Sequence, residues 1–218
     1  MATPLRLHGY WRSSTTYRLR IALKLKGLNY ELVPVNLLAA EQRSESYRTL
    51  NPFAGVPVLE ADGHARAQSM AVLEWLDERY PQRPLLPSDI EARFVARELG
   101  MAIATELHAP LNLPVLQYLR HDLGHSQAEV DRWYHRWLEK TLQGVEARLR
   151  QRDTGEFLFE APGYFECVLL PQLYNARRFA FDLGDYPRIT RIEAACRDLP
   201  EFLAAHPDHQ PEAAAPSS

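Results

Sequence analysis

Residues 12–18 read Arg12-Ser13-Ser14-Thr15-Thr16-Tyr17-Arg18, a row of four small hydroxyl residues flanked by two arginines. Hydroxyls can donate to an anion. Unpaired backbone N–H groups at a helix start favour the same negative charge, and a thiol held there ionises more readily. The chemistry on offer is the holding of an anion, with a thiolate as one good candidate. A single Ser or Thr before a helix is an ordinary cap; that accounts for one hydroxyl, not for four between two cations.

The surrounding elements must present this tract at a strand-to-helix junction. Leu5-Arg6-Leu7-His8 alternates as a short strand and Gly9 is a turn residue. Ile21, Leu25 and Leu28 then recur at helical spacing, which predicts a helix over 14–26 stopped by Gly27. Tyr30–Val35 is β-rich, and Pro34 marks it as an edge or a strand end. Residues 41–50 form a weak, polar helix. Val56–Glu60 is a strand, Asp62-Gly63 a two-residue hairpin turn, and Ala65–Ala67 the returning strand. Gln68-Ser69 opens another helix, with Met70, Leu73 and Leu76 among its apolar positions. The order βαβ–α–ββα predicts a small α/β domain of the thioredoxin type.

Three prolines within 81–87 break the chain and mark the domain boundary. Ser88-Asp89, with Glu91 following, then caps a new helix. Beyond it the patterns over 89–107, 115–122, 127–151, 164–181 and 188–197 are all helical. The expected domains are 1–82, α/β, and 88–211, all-α. From Pro207 onward the chain is rich in Ala, Pro and Ser with little to bury, so disorder is expected there, with 212–218 as a tail.

Bulk properties exclude several classes. The 218 residues suffice for a sizeable core, and a net charge of −3 offers no basic surface for nucleic acid. Positive charge gathers near residues 12–26, which suits a small anion better than a polymer. There is no apolar run long enough for a membrane span and no visible signal peptide. Cys167 and Cys196 have neither CxxC nor His spacing, which argues against a metal site and for buried free thiols in a reducing compartment. The expected location is the cytoplasm.

An α/β domain of about 85 residues, a Pro-rich linker and a helical domain resemble the cytosolic glutathione transferases, and the motifs narrow this to the zeta class. The tract Arg12–Arg20 with Ile21-Ala22-Leu23 resembles the zeta signature. Asn51-Pro52 and Val56-Pro57-Val58-Leu59 resemble the segment carrying the fold's cis-proline, and Gln68–Leu76 its Q-S-x-A-I-x-E-Y-L segment. Pro171–Phe179 and His206–Pro211 are similar to the class's late signatures. The resemblance implies a glutathione site, with Ser13 nearest the sulfur and Ser14 and Thr15 beside it. It implies that Val56, before Pro57, offers its backbone to the cysteinyl part, and that Gln68 and Ser69 hold the γ-glutamyl end. His108 and Asn112 lie near the second-domain glutathione contacts. Arg12, also counted with Ser13 and Ser14 as catalytic, and Arg178 match cations able to meet substrate carboxylates. For Arg177 a solvated helix face is the better reading.

The implied activity is cis–trans isomerisation of a maleyl-type substrate, maleylacetoacetate to fumarylacetoacetate first, by reversible thiolate addition that leaves glutathione unconsumed. A homodimer is implied as well. Three departures from the class pattern stand out. The loop after His108 reads Ala109-Pro110-Leu111-Asn112-Leu113-Pro114, with Pro114 where related isomerases often carry arginine. Gly163 and Glu166 replace a capping box of Thr and Asp, a loss expected to cost on the order of 1 kcal/mol. Thr15 replaces the cysteine of some members, which argues against reductive dehalogenation. The first departure keeps a second reading open: a zeta-like enzyme acting on another unsaturated substrate in a specialised pathway. A third reading is a non-catalytic glutathione-binding module, against which the intact serine tract weighs.

Overall fold

Leu5 and Leu7 face inward from β1 (Leu5–Gly9), and the strand ends where Gly9 brings the backbone against the next helix. A Cβ on Gly9 would lie 2.3 Å from Thr16 Cγ2, so only glycine admits this approach. The computed structural model of the chain describes residues 4–152 and 155–213. Helix α1 (Ser14–Leu25) follows β1, is capped at its start by Ser13, and ends at Gly27, whose φ of +68° permits the left-handed stop. Strand β2 (Tyr30–Pro34) pairs parallel with β1. A short 3₁₀ turn and α2 (Glu45–Leu50) lead to β3 (Val58–Ala61), antiparallel to β1, and then to β4 (His64–Ala67). Both central residues of the β3–β4 turn, Asp62 and Gly63, have positive φ, as a twist-matched two-residue hairpin requires. Helix α3 (Ser69–Arg79) closes the βαβ–α–ββα order.

The sheet order is β2-β1-β3-β4, so β2, with its terminal Pro34, lies at an edge. Leu7, Leu19, Ile21, Leu23, Leu59, Leu73 and Leu76 are fully buried in this unit. Burial of each such side chain contributes roughly 1.5–3 kcal/mol.

The chain divides into two compact units, one running to Leu86 and including the segment from Asp198, the other Pro87–Arg197. The Pro-rich stretch is tied to the first unit. The Lys26 ammonium bonds Asp77 at 2.9 Å and the Arg83 carbonyl at 2.8 Å, and the Leu85 and Leu86 N–H groups donate to Asp77.

The second unit is helical: α4 (Ile90–Met101), α5 (Leu113–Gln117), α6 (Gln127–Arg150), α7 (Tyr164–Arg178) and α8 (Pro187–Arg197). Helices α4 and α5 run on into π-helical stretches, Ala102–His108 and Tyr118–Asp122. Glu146 of α6 is buried and accepts the Arg188 and Ile189 N–H groups at the start of α8. The capping box before α7 is not simply lost. Gly163 has no side chain to contribute, but the Glu166 carboxylate accepts from the Gly163 and Leu158 N–H groups, each at 2.8 Å. Burial raises the Glu166 pKa, and the backbone donors pull it the other way.

Residues 198–211 join the first unit, and from Pro207, where disorder is expected, they are ordered. They form α9 (Pro200–Ala205) and a 3₁₀ turn at Pro207–His209, and α9 packs on α1 of the first unit. Arg20 Nε donates to the Ala205 carbonyl at 2.8 Å, and Gln210 ties Ala204 and His206 carbonyls. Phe202 and Ala205 are buried, and so are Pro207 and Gln210 within the stretch expected to have little to bury. Residues 211–213 form a further turn; the rest of the expected disordered tail, 214–218, lies outside the described residues, as do 1–3.

Candidate active site

Strand register assembles the first unit's functional candidates. His8 of β1 is opposite Val58 of β3, and Val58 is opposite Ala67 of β4. Three features therefore meet at one end of the sheet: the N-terminus of α1 after β1, the Val56-Pro57 segment before β3, and the N-terminus of α3 after β4.

At the first, Ser13 has extended backbone and its Oγ accepts the Thr16 N–H at 3.3 Å. Ser13 Oγ is 2.9 Å from Thr15 Oγ1, and Thr15 Oγ1 donates to the Val56 carbonyl at 2.9 Å. Ser14 opens α1 and is buried. Arg12 lies over the Trp11 ring, 5.3 Å from its centroid, and has no polar partner among the described residues. Arg20 Nη2 donates to the Trp11 carbonyl at 2.9 Å, bracing the loop that carries Arg12 and Ser13.

At the second, the Val56–Pro57 bond is cis. The Gly55 carbonyl before it accepts from both Asn51 Nδ2 at 2.7 Å and the Tyr47 hydroxyl at 2.9 Å, while Asn51 Oδ1 accepts the Phe53 N–H. Among the described residues the Val56 N–H has no hydrogen-bond acceptor. The peptide before Pro57 thus keeps an unused donor. Tyr47 and Asn51 are positioning residues that the sequence reading missed; the Asn-Pro turn was the only signal available, and it says nothing of Tyr47.

At the third, Ser69 is buried at the start of α3 and its Oγ accepts from Arg18 at 3.3 Å. That bond leaves the Ser69 hydroxyl proton available. Gln68 is exposed and holds a φ of +69°, a conformation that non-glycine residues rarely adopt and that concentrates at functional sites.

The remaining candidates lie in the second unit. His108 ends the π-helical stretch, 3.4 Å from Gln172 Nε2. Asn112 caps α5, its side-chain oxygen accepting the Leu113 N–H at 2.8 Å. Pro114 falls in the first turn of α5, where a missing N–H costs nothing. The shifted Pro110 has a use of its own: its carbonyl accepts from Trp133 Nε1 at 2.9 Å. Arg178, exposed at the C-terminus of α7, contacts Asn175 and the Tyr174 ring. The end of that helix is held to α6 by Phe179, stacked on Tyr134 with its carbonyl bonded to His135. Arg177 instead pairs with Glu193 of α8, Nε to Oε1 at 3.0 Å, so it serves α7–α8 packing rather than a bare solvated face. Cys167 and Cys196 are free and buried, and burial pushes the Cys196 thiol well above its ordinary range. Among the described residues no three His, Cys, Asp or Glu side chains form a metal-binding group, and no helix is long and apolar enough to cross a membrane.

A thioredoxin-like domain with a hydroxyl at the first helix start, a cis-proline loop facing it and a serine at the third helix start, followed by helices, defines a cytosolic glutathione transferase architecture. Residues 3–78 match the glutathione S-transferase N-terminal domain. A probable maleylacetoacetate isomerase of Vibrio cholerae is 41% identical over 95% of this chain and 97% of its own length. A solved maleyl pyruvate isomerase, described as a bacterial zeta-class glutathione transferase in its holo form, has a TM-score of 0.93 at 38% identity, covering 95% of this chain and 99% of its own. A maleylacetoacetate isomerase from Anaeromyxobacter dehalogenans, solved with GSH in its active site, has a TM-score of 0.86 at 43% identity, covering 96% and 98%. The same enzyme has been solved with dicarboxyethyl glutathione and citrate. The chain belongs to the zeta-class glutathione transferases, the family of the maleylacetoacetate and maleylpyruvate isomerases.

Proposed function

We propose that the protein is a glutathione-dependent isomerase that converts a maleyl-type cis dicarboxylate, maleylacetoacetate first, to its trans form. The observation that carries this reading is the convergence, at one sheet end, of the Ser13 hydroxyl at a helix N-terminus, the unused Val56 N–H and the Ser69 hydroxyl. These groups fit glutathione by their chemistry. The positive end of α1 suits a thiolate, the Val56 peptide suits the cysteinyl amide, and Ser69 with Gln68 at the α3 start suits the γ-glutamyl carboxylate. Ser14, Thr15 and Pro57 complete the set in the first unit; His108 and Asn112 are the candidates in the second.

When bound, glutathione supplies a thiolate nucleophile whose reversible addition to an activated alkene lets the former double bond rotate. The chain's own residues do the rest. The α1 N-terminus and the Ser13 hydroxyl favour the charged sulfur. Arg12, with no polar partner among the described residues, meets a substrate carboxylate and stabilises the negative charge that develops next to it. Arg178 is the second carboxylate candidate. The test is turnover of maleylacetoacetate or maleylpyruvate, coupled to the matching trans-specific hydrolase, with and without glutathione; glutathione-dependent turnover is expected, and its absence with both substrates removes the reading.

One observation favours a second reading. Pro114, built into the first turn of α5, supplies no cation where related isomerases often carry one. A zeta-like enzyme for an unsaturated substrate with one carboxylate would bind glutathione normally and leave both maleyl substrates unturned. The family resemblance also supports a cytoplasmic homodimer, with 1–82 and 88–211 as its sequence-level domains. Large exposed apolar side chains at Phe53 in one unit and Ile90 and Phe94 in the other are available for subunit contact. Sedimentation at micromolar concentration is expected to give twice the chain mass.

A further inference from the structure

The hydroxyl protons of Ser13 and Thr15 are determined by their neighbours. Thr15 Oγ1 donates to the Val56 carbonyl, which can only accept. A threonine hydroxyl has one proton, so the 2.9 Å contact between Ser13 Oγ and Thr15 Oγ1 closes as a hydrogen bond with Ser13 as the donor. Ser13 Oγ also accepts the Thr16 N–H at 3.3 Å. The chain therefore runs one way, from the Thr16 N–H to Ser13, from Ser13 to Thr15, and from Thr15 to the Val56 carbonyl.

We propose that Thr15 is a positioning residue that sets the ionisation threshold of the bound thiol by holding the Ser13 proton away from the sulfur until the thiolate forms. This rests on the reading of the site as a glutathione site with Ser13 beside the sulfur. A neutral thiol is a weak acceptor and does not draw the Ser13 proton from Thr15. A thiolate is a charged acceptor and does. Ser13 Oγ need not move for this exchange, because the Thr16 N–H holds it; only the O–H bond turns. The Ser13–Thr15 bond is given up at that moment, so the thiol ionises at a higher pH than it would without the Thr15 acceptor. Thr15 keeps its own proton on Val56 throughout and so joins the helix start to the loop opposite it. The structure thereby gives Thr15 a task other than contact with the sulfur.

The test is the ultraviolet thiolate absorbance of saturating glutathione on the full chain, titrated against pH. Thr15→Val removes the acceptor and is expected to lower the midpoint by about half to one pH unit, the size of one net hydrogen bond. Thr15→Ala is expected to do the same should valine crowd the loop. Thr15→Ser keeps the relay and the wild-type midpoint. Ser13→Ala raises the midpoint, and adding Thr15→Val to it changes nothing further, because Thr15 acts through Ser13. A midpoint in both T15V and T15A that is unchanged or raised while glutathione still binds overturns the proposal, as does an equal T15V shift with and without Ser13. A purely structural role for Thr15 weakens binding without moving the midpoint, and that result also overturns it. Failure of wild-type protein to bind glutathione at all removes the functional reading itself, an outcome distinct from the others.

Discussion

Ser13 has two tasks, capping α1 through its lone pair and donating through its proton, and they fall on different sides of one oxygen. Its replacement by alanine is expected to lower turnover far more than it weakens glutathione binding, since the donor matters most when the sulfur is charged. Steady-state kinetics beside calorimetric titration separates the two; equal losses would take Ser13 out of the chemistry. Arg12 differs from Arg18 and Arg20, which are buried and hold the α3 start and the loop before α1. Arg12→Gln is expected to raise KM for a dicarboxylate roughly tenfold or more, the value of one charge-assisted bond of about 1.5–3 kcal/mol, with the glutathione affinity little changed. Arg12 and Arg18 look alike as flanks of one hydroxyl run, and only their burial separates the proposed carboxylate receptor from the brace.

At the scale of elements, the β1–α1 junction depends on Gly9. Gly9→Ala drives a methyl group into Thr16 and is expected to cost about 1–3 kcal/mol of stability, read as a lowered midpoint in urea. The sheet carries a pH dependence of its own. Glu60 on β3 accepts from His8 and Arg6 on β1, and these bonds, His8 first, hold its carboxyl below the usual range. The native state therefore binds fewer protons there than the unfolded chain. The stability Glu60 contributes is present above the ordinary carboxylate range and is lost as pH falls through its depressed native value. Glu60→Gln is expected to flatten that part of the acid limb in pH-dependent melts. In the helical unit, Glu166→Ala would leave the buried Gly163 and Leu158 donors without their acceptor, a loss of about 2 kcal/mol or more. The replaced capping box suggested a deficit from sequence; the carboxylate three residues into α7 makes up much of it by reaching back to two N–H groups.

For the whole molecule, the chain after Arg197 returns to the first unit. Arg20, deep in α1, depends on the Ala205 carbonyl, and the Tyr17 ring meets His206 edge-on. Truncation after Arg197 is expected to lower the thermal midpoint by several degrees and to weaken glutathione binding, because Arg20 also braces the loop bearing Ser13. A truncated chain that melts and binds like the full one would show that α9 is dispensable.

Local order was enough to read the strand–helix alternation, the Asp62-Gly63 hairpin, the break at the prolines and the hydroxyl tract, because each depends on residues within a few positions of one another. The family tracts added Val56, Gln68 and Ser69, which by spacing alone are a strand and a cap. Long-range pairing decided the rest. Strand register put α1, the cis-proline loop and α3 at one end of the sheet, α9 found its cover 185 residues earlier in sequence, and Thr15 gained its acceptor from Val56. A hydroxyl's role depends on which atoms sit three ångströms away, and for Thr15 one of those atoms belongs to a residue 41 positions along the chain. Tertiary packing alone could supply it.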